Sequence, residues 1–313
     1  MADTTKKIGD LDVSGLCLGG NVFGWTADRD TSFQILDAYA ASGGTFIDTA
    51  DSYMASAPGN SGGESEEIIG EWTAARGTRD DVVIATKVGR HPRREGLSAA
   101  NIEAAAEDSL RRLRTDRIDL YYTHFDDESV PVEEIMTALD GLVRAGKVRQ
   151  IAVSNIGLDR LEASLEFSER EGTAKYVGIQ PHYNLVSRDT YEGPRRDIAR
   201  RHGLACMPYY GLASGFLTGK YRPDTEVDSA RAGKAAKHLE TERGRRVLQA
   251  LDEVAQESGK SHATVALAWL AAQPTVVAPI ASARTMEQLP PLLDVPGTVL
   301  TEDQLSRLTE ASA

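Results

Sequence analysis

The chain has 313 residues, of which 41% are hydrophobic and 26% are charged, and these values are ordinary for a soluble globular protein with a sizeable core. Its 35 basic and 47 acidic residues give a formal net charge of −12. This charge argues against a nucleic-acid or anionic-membrane surface, because binding to either partner needs a basic field. The length allows two ordinary domains or one α/β barrel.

The N-terminal segment and the cysteines indicate a compartment. Residues 1–7 are not followed by the apolar core of a signal peptide, and no segment reaches the ~18 apolar residues of a membrane span. Cys17 and Cys206 each lie inside an apolar, strand-like run, which predicts two buried free thiols. Thiols without an export signal predict a cytoplasmic protein.

From the N-terminus onward, strand patterns alternate with helix patterns. Residues 8–15 alternate apolar and polar side chains around Gly9-Asp10, which predicts a β-hairpin. Short apolar runs then predict eight strands, at residues 16–20, 45–49, 82–87, 118–123, 148–154, 176–180, 204–209 and 276–280. Apolar residues at helical spacing predict helices at residues 31–42, 65–77, 98–113, 132–143, 158–165, 241–257, 263–272, 285–289 and 301–310. The helix after the sixth strand is interrupted by Gly193 and Pro194.

This alternation, without low-complexity linkers, predicts one α/β domain over residues 1–313, in which parallel strands close into a (β/α)8 TIM barrel. A doubly wound open sheet is the competing arrangement. Its dinucleotide-binding signature is Gly-x-Gly-x-x-Gly after the first strand, and residues 19–24 do not match it. The barrel is therefore the predicted fold.

Titratable side chains follow three neighbouring strands of the predicted barrel. Asp48 lies at the C-terminal end of the second strand, and Tyr53 lies on the loop after it. Lys87 ends the third strand, and His124 follows the fourth. In a barrel, functional residues gather at the C-terminal ends of the strands. We therefore expect these four side chains to meet at the barrel mouth.

The charges of these side chains predict a proton-transfer site. Lys87 beside the Tyr53 phenol would favour tyrosinate and lower the pKa of that phenol from ~10. Asp48 would neutralise and orient Lys87, and His124 would hydrogen-bond a substrate carbonyl oxygen. Tyr53 would then give its proton to that oxygen as an adjacent carbon accepts a hydride.

Five segments together resemble a known family. They are residues 46–53 (FIDTADSY), 85–87 (ATK), 122–124 (YTH), 146–155 (GKVRQIAVSN) and 215–221 (GFLTGKY). The first three look like the catalytic Asp-Tyr-Lys-His set of the aldo-keto reductases. The fourth resembles that family's strand-five segment, and the fifth resembles its pyrophosphate loop. The similarity covers nearly the whole chain and implies a reductase that reversibly converts aldehydes or ketones to alcohols.

The resemblance also implies a fold and a cofactor. The family fold is a (β/α)8 barrel with an N-terminal β-hairpin that closes its bottom. Family members bind NADPH, in preference to NADH, across the barrel mouth and need no metal. The residues that would bind the cofactor, by resemblance, are Gly20, Asn21, Val22, Asp48, Ser154, Asn155, Gln180, Tyr209, Leu212, Gly215, Leu217, Gly219, Lys220, Ser282, Arg284 and Gln288.

Within this set the resemblance implies separate roles. Ser154, Asn155 and Gln180 would hydrogen-bond the nicotinamide carboxamide, and Tyr209 would stack on its ring. The main chain of residues 212–219, with Lys220, would hold the pyrophosphate. Ser282 and Arg284 would contact the 2′-phosphate. Gln288 would contact the adenine edge.

Three departures from the family pattern affect the cofactor site. After strand seven the family usually has Tyr-Ser-Pro-Leu, whereas residues 209–212 are Tyr-Tyr-Gly-Leu, and Gly211 is expected to loosen that loop. Ser282 replaces a glycine that commonly precedes the phosphate-binding arginine. Pro291 and Leu292 replace a Glu-Asn pair that often contacts adenine. The adenine contacts and the preference for NADPH over NADH are therefore left open.

The expected partner is a small carbonyl compound. Trp25, Tyr53, Met54, Phe125 and Tyr210 would form a largely apolar pocket, which suggests substrates with hydrophobic or aromatic parts. Residues 58–63 are a candidate lip and residues 221–237 a candidate lid, although both fit solvated loops equally well. The sequence specifies neither the individual substrate nor an oligomeric state.

Other functions match the sequence less well. A phosphate-loop NTPase fails because Ser214 and Tyr221 occupy positions that need glycine and serine or threonine. The Tyr-x-x-x-Lys pattern of short-chain dehydrogenases does not occur. A barrel metallohydrolase could recruit Asp48, His124 and His182, but the chain has no His-x-His pair, and no metal is expected. The remaining alternative is a cofactor-sensing binding subunit with little turnover.

Overall fold

A computed structural model describes residues 5–222 and 232–313 of the chain. Its strands, in chain order, are β1 (Thr5–Ile8), β2 (Leu11–Ser14), β3 (Cys17–Gly19), β4 (Phe46–Asp48), β5 (Val83–Val88), β6 (Arg90–His91), β7 (Arg94–Glu95), β8 (Ile118–Thr123), β9 (Val148–Ser154), β10 (Tyr176–Gln180), β11 (Ala205–Cys206) and β12 (Ile280–Ala281). Eight of these strands form one parallel sheet in the order β11-β10-β9-β8-β5-β4-β3-β12.

Main-chain hydrogen bonds join the two ends of this sheet. Cys206 N–H donates to Thr275 O at 2.8 Å, and Val277 N–H donates to Cys206 O at 2.9 Å. Two residues after Cys206, Pro208 O accepts a further hydrogen bond from Ile280 N–H at 3.0 Å. The sheet is thus closed, and the predicted (β/α)8 barrel is confirmed.

The helices lie between successive strands or follow the last one. They are α1 (Arg29–Ala41), α2 (Glu64–Arg76), α3 (Ala99–Leu113), α4 (Val132–Arg144), α5 (Leu158–Glu171), α6 (Pro194–His202), α7 (Ala232–Ala236), α8 (Glu242–Ser258), α9 (His262–Ala271), α10 (Pro290–Leu293) and α11 (Glu302–Ala311). Side-chain caps begin several of them, as where Ser98 Oγ accepts from Asn101 N–H. None of the described helices has the length and apolarity that crossing a membrane requires.

The structure differs from the predicted elements in several places: the seventh strand is Ala205–Cys206 rather than residues 204–209, residues 286–288 form a 3-10 helix, and α7 and α10 were not predicted. Gly193 and Pro194 do not interrupt the sixth helix; Pro194 is its first residue, where the missing N–H has no cost. The last strand is Ile280–Ala281 rather than residues 276–280, and Pro279, which lacks an N–H, precedes it. The short hairpin β6–β7 was not predicted, because its sequence contains proline and does not alternate.

Side chains alternate between the barrel interior and the surrounding helices. In β8, Leu120 and Tyr122 belong to the interior cluster, whereas Tyr121 packs in the larger cluster under the helices. The bottom of the interior is covered by the hairpin β1–β2, whose Ile8 and Leu11 are buried in the interior cluster. The predicted closure of the barrel bottom by this hairpin is confirmed.

Candidate active site

Eight positions face the open end of the barrel, and seven of them lie two residues after a residue of the interior cluster; the eighth, Gln180, follows Gly178 by the same count. For example, Asp48 follows Phe46 and Lys87 follows Ala85, and both Phe46 and Ala85 belong to the interior cluster. We call this set the mouth layer: Gly19, Asp48, Lys87, His124, Ser154, Gln180, Tyr209 and Ser282. Because side chains alternate along each strand with a period of two residues, these positions all meet at the barrel mouth.

Asp48, Lys87 and Tyr53 form a closed hydrogen-bonded group in the mouth layer and the loop above it. Lys87 Nζ donates to Asp48 Oδ1 at 2.8 Å and Oδ2 at 2.7 Å, to Thr49 O at 2.7 Å and to Tyr53 Oη at 2.5 Å. Tyr53 Oη donates in turn to Asp48 Oδ2 at 2.6 Å. Lys87 and Asp48 are 0% and 1% exposed. Each charge is buried only because the other one compensates it.

The Asp48 carboxylate has a third partner. Gln180 Nε2 donates to Asp48 Oδ1 at 2.8 Å. The amide that the sequence assigned to the nicotinamide therefore also orients the carboxylate of the acid–base group. This contact links strand β10 to strand β4 across the barrel mouth.

The protonation state of Tyr53 differs from the sequence prediction. Removal of the phenol from water, and then the neighbouring Asp48 carboxylate, raise the pKa of Tyr53 well above 10. The prediction that Lys87 lowers this pKa is wrong, because the phenol donates its proton to Asp48 and the carboxylate opposes the effect of the ammonium. Burial also lowers the pKa of Lys87, against the opposing effect of Asp48. Tyr53 is thus held as a neutral proton donor.

His124 lies beside this group. Its ring is edge-on to that of Tyr53, with 6.0 Å between centroids, and its Nδ1 lies 3.4 Å from Ser52 Oγ. Burial, followed by the positive charges of Lys87 and Arg90, lowers the pKa of His124 well below 6.5. The imidazole is therefore neutral at pH 7 and has one N–H to donate.

A cleft of about 660 Å³ extends from this group across the barrel mouth. The predicted cofactor residues that line it are Asn21, Val22, Asp48, Ser154, Asn155, Gln180, Tyr209, Leu212, Gly215, Lys220, Ser282, Arg284 and Gln288. Three other predicted residues, Gly20, Leu217 and Gly219, are not part of its lining. Leu217 is fully buried in the core, and Gly219 packs against the ring of His262.

Asn155 connects the two walls of the cleft. Its Nδ2 donates to His124 O at 2.9 Å, and its Oδ1 accepts from Tyr209 Oη at 2.9 Å. The backbone of Asn155 is left-handed, with φ 47°, a conformation that asparagine tolerates better than most residues. Ser154 Oγ donates to Gln180 O at 2.8 Å, which ties β9 to β10 at the same level.

Two cations, Lys220 and Arg284, line the same cleft. Neither Lys220 nor Arg284 has a carboxylate partner among the residues that the structure describes. Burial and the nearby Arg284 charge lower the pKa of Lys220. Two like charges close together, with no compensating acid in the described part of the chain, favour a binding site for an anion. Ser282 lines the same cleft, and its Oγ donates to Asn21 Oδ1 at 2.6 Å.

The loop after β11 is tightly packed. Gly211 is buried, and a Cβ at this position would lie 2.8 Å from Leu267 Cδ2. The expectation that Gly211 loosens the loop is therefore not met, because the glycine allows a close approach between the loop and α9. The adjoining Tyr210, Ala213 and Ser214 all have positive φ angles, so the loop turns sharply here.

A second, outer cavity of about 970 Å³ shares Trp25, Tyr53, His124 and Tyr210 with the cleft. The predicted substrate-pocket residues all line one or both cavities: Trp25 and Tyr210 line both, Met54 the outer one and Phe125 the cleft. Phe125 and Tyr210 are 40% and 45% exposed, unusual values for large aromatic side chains. Of the candidate lid, residues 223–231 lie outside the described residues.

Sequence reasoning missed several residues of these cavities. Ser261 and His262, at the start of α9, line the cleft, and His262 Nε2 lies 2.6 Å from Asp252 Oδ1. Arg90, in the unpredicted hairpin, and Lys237 line the outer cavity. The position of Arg90 three residues after Lys87, on the loop that follows a barrel strand, is a signal that could have identified it.

A buried polar cluster lies behind the acid–base group. Glu66 accepts from Thr86 Oγ1 at 2.5 Å and from Arg112 Nε at 2.6 Å. Asp51 is 1% exposed, and neither of its carboxyl oxygens has a hydrogen-bond partner among the described residues. Burial and then the charge of Glu66 raise the pKa of Asp51 to about 8. Across residues 5–222 and 232–313, no group of three histidine, cysteine, aspartate or glutamate side chains is arranged to hold a metal ion.

Comparison with known proteins indicates the same family that the sequence motifs resemble. The sequence model described as "Aldo/keto reductase family" matches residues 15–313. An uncharacterized oxidoreductase, YrpG, of Bacillus subtilis is 38% identical over 294 residues, which cover 89% of this chain and 86% of that protein. An aryl-alcohol dehydrogenase [NADP(+)] of Phanerodontia chrysosporium is 32% identical over 329 residues, covering 96% and 83%. A norsolorinic acid reductase of Emericella nidulans is 32% identical over 322 residues, covering 97% and 80%.

Proposed function

The chain belongs to the aldo/keto reductase family of oxidoreductases, and from this premise we propose that it reduces aldehydes or ketones to alcohols, reversibly, with NADPH. The main support is the group formed by Asp48, Lys87 and Tyr53, which keeps a protonated phenol at the barrel mouth. The name of the aryl-alcohol dehydrogenase supports chemistry on aromatic compounds, and the name of the norsolorinic acid reductase supports a reduction. We further propose that residues 1–313 form a single catalytic domain.

The residues along the cleft fit NADPH. At one end, Ser154, Asn155 and Gln180 provide amide and hydroxyl groups beside the Tyr209 ring, which suits a nicotinamide. In the same lining, the cations Lys220 and Arg284, which have no carboxylate partner among the described residues, suit phosphate groups in a protein with a net charge of −12. Bound along this cleft, NADPH would supply the hydride that the carbonyl carbon accepts. The printed name of the NADP(+)-dependent relative supports the phosphorylated form of the cofactor.

The protein's part of the reaction is a proton transfer from Tyr53. In the proposed mechanism, neutral His124 donates a hydrogen bond to the carbonyl oxygen and turns it toward the phenol. The phenol gives that oxygen its proton as the bond from Tyr53 Oη to Asp48 Oδ2 breaks. Lys87, 2.5 Å from Oη, stabilises the phenolate that remains, and water then returns the proton.

The raised pKa of Tyr53 suits this direction of proton transfer. A phenol with a high pKa keeps its proton until the carbonyl oxygen becomes basic, which happens only as the carbon accepts hydride. The Lys87 ammonium then stabilises the phenolate more strongly than it stabilised the phenol. Stabilisation that appears mainly in the transition state accelerates the reaction instead of only tightening binding.

The test is a steady-state assay with NADPH and a panel of aromatic and aliphatic aldehydes. We expect turnover by the natural protein and its loss in Tyr53→Phe, with NADPH binding, followed by quenching of protein fluorescence, retained. Tyr183→Phe is a matched control, because Tyr183 is also buried and its hydroxyl donates to Glu192 at 2.7 Å outside the cleft. Tight NADPH binding with negligible turnover of every carbonyl would instead favour a cofactor-sensing subunit.

A further inference from the structure

The rim of the outer cavity has a positive charge that the proposed reaction does not use. Arg90 and Lys237 both line this cavity, and its described lining contains no aspartate or glutamate. The apolar part of the same lining includes Trp25, Met54 and Tyr210. An apolar cavity with two cations at its rim is complementary to an organic anion.

Arg90 is unusual among the arginines of this acidic chain. Nearly all described guanidinium groups contact a carboxylate or donate to a main-chain carbonyl, as Arg195 and Arg245 do. Within the described chain, only the guanidinium groups of Arg90, Arg93 and Arg284 have no such acceptor. Arg284 lies in the cofactor cleft, Arg90 lines the outer cavity, and Arg93 is on the surface. Within residues 5–222 and 232–313, Arg90 thus has no carboxylate to compensate its charge, in a chain with 47 acidic residues, and this favours a ligand as its acceptor.

The position of Arg90 is fixed by an aromatic contact. Its guanidinium carbon lies 4.6 Å from the centre of the Phe125 ring, and the Phe125 ring lies 5.2 Å from that of His124. Arg90, Phe125 and His124 therefore form one continuous stack, and His124 is the residue proposed to orient the carbonyl oxygen. The charge of Arg90 also contributes to the lowered pKa of His124, in agreement with this proximity.

We propose that the outer cavity binds a carboxylate at the far end of the substrate, so that the preferred substrates are aromatic aldehydes or ketones that carry an acidic group. Arg90 donates to the carboxylate from its place on Phe125, and Lys237 adds a second positive charge at the rim. The aromatic body lies against Trp25 and Tyr210, with the carbonyl oxygen at Tyr53 and His124. This assignment rests on the proposed reductase function and specifies its substrate class.

The test compares an acid with its neutral ester. The substrates are 4-formylbenzoate and 4-formylcinnamate, each with its methyl ester, and the quantity is the ratio of kcat/KM for acid and ester. An exposed ion pair contributes modestly, so we expect the natural protein to prefer the acid about threefold to tenfold. This preference should decrease as ionic strength rises, because salt screens exposed charges.

The variants locate the source of the preference. Arg90→Gln should bring the acid-to-ester ratio close to one, and Lys237→Gln should lower it partly. Arg93→Gln is the matched control, because it removes an exposed, unpaired arginine from the same hairpin without touching either cavity. Arg93→Gln should leave the ratio as it is in the natural protein. A natural protein without preference for the acid, or an Arg90→Gln protein that keeps it, would overturn the proposal.

A binding measurement separates this inference from the proposed function. The alcohol 4-(hydroxymethyl)benzoate and its methyl ester are compared by ligand-observed NMR with the protein and NADP+. Weaker binding of the acid alone in Arg90→Gln supports the carboxylate site even if no turnover is seen. Turnover of the esters with equal binding of acid and ester would remove the carboxylate site and leave the reductase function intact.

Discussion

Replacement of Lys87 by methionine tests how the barrel mouth stabilises a phenolate. The ammonium donates to Tyr53 Oη at 2.5 Å, and Lys87 is 0% exposed. At this separation and an effective dielectric constant of about 20, two full charges attract by about 7 kcal/mol. If about half of the phenolate charge has developed in the transition state, the loss is about 3 kcal/mol, or roughly a hundredfold in kcat.

The same change also affects folding, so the assay needs a structural control. Methionine leaves Asp48 buried without its cation, and breaking a buried pair in this way costs roughly 3–5 kcal/mol of unfolding free energy. Arg79→Met is the matched control: Arg79 pairs at 2.7 Å with Asp119, which is 1% exposed and lies outside both cavities. We expect both variants to lose stability in urea denaturation, but only Lys87→Met to lose kcat with an aromatic aldehyde.

Two results would refute this reasoning. A folded Lys87→Met protein that keeps kcat within threefold of the natural value would show that the ammonium does not stabilise the phenolate. An equal loss of kcat in Arg79→Met would show that the effect comes from reduced stability. Both measurements use protein that circular dichroism shows to be folded at the assay temperature.

Three further predictions concern the cofactor, the pH dependence and the stability. Arg284→Ala should weaken NADPH binding by about tenfold or more, because a charge-assisted contact to the 2′-phosphate is lost, and it should change NADH binding little. Fluorescence titration measures both affinities. Equal losses for the two cofactors would contradict this role of Arg284. Since the pKa of His124 is lowered well below 6.5, kcat/KM should stay level from pH 8 down to pH 6, and a decrease centred near 6.5 would argue against a neutral His124. Asp51 keeps its proton in the folded protein up to about pH 8, whereas the unfolded carboxyl loses it above ~3.9, so the unfolding free energy should fall as pH rises through this interval. Asp51→Asn should abolish that fall and stabilise the protein at pH 8 by ~2–4 kcal/mol in urea denaturation; an unchanged pH dependence would show that Asp51 is ionised when folded.

The convergence of the candidate site could be predicted because it follows from strand periodicity. Asp48, Lys87 and His124 lie two residues after buried apolar residues of their strands, and closure of the barrel brings these positions together. The same count of two identifies Ser154 and Tyr209. Side-chain alternation and the barrel fold are sufficient to place these side chains at one mouth.

The electrostatic balance of the site could not be predicted from residue types. A lysine and an aspartate near a tyrosine have opposite effects on its pKa, and the sign depends on which group the phenol donates to. Tyr53 donates to Asp48, so its pKa is raised. Likewise, Gly211 suggests mobility in sequence, but whether a glycine loosens a loop or permits close packing depends on its neighbour, here Leu267.

The outer cavity was the least predictable part. Arg90 lies in a two-residue strand, and the sequence around it has no alternation of apolar and polar residues that would predict this strand. Lys237 comes from a segment beyond β11 that contributes no strand to the barrel. Residues that reach a site from such connections have no fixed phase relative to the strands, so a place on a loop after a barrel strand, as for Arg90, marks a candidate residue without fixing its contacts.

The double attachment of Asn155 has a consequence for redesign of this protein. One amide holds the main chain of His124 on one side and the hydroxyl of Tyr209 on the other. Loss of the Tyr209 hydroxyl would leave Asn155 Oδ1 without its donor and weaken the hold of this amide on the backbone at His124. Under the proposed function we expect cofactor choice and substrate choice to be coupled, so libraries that vary residues 155 and 209 together should recover more active variants than libraries that vary either one alone.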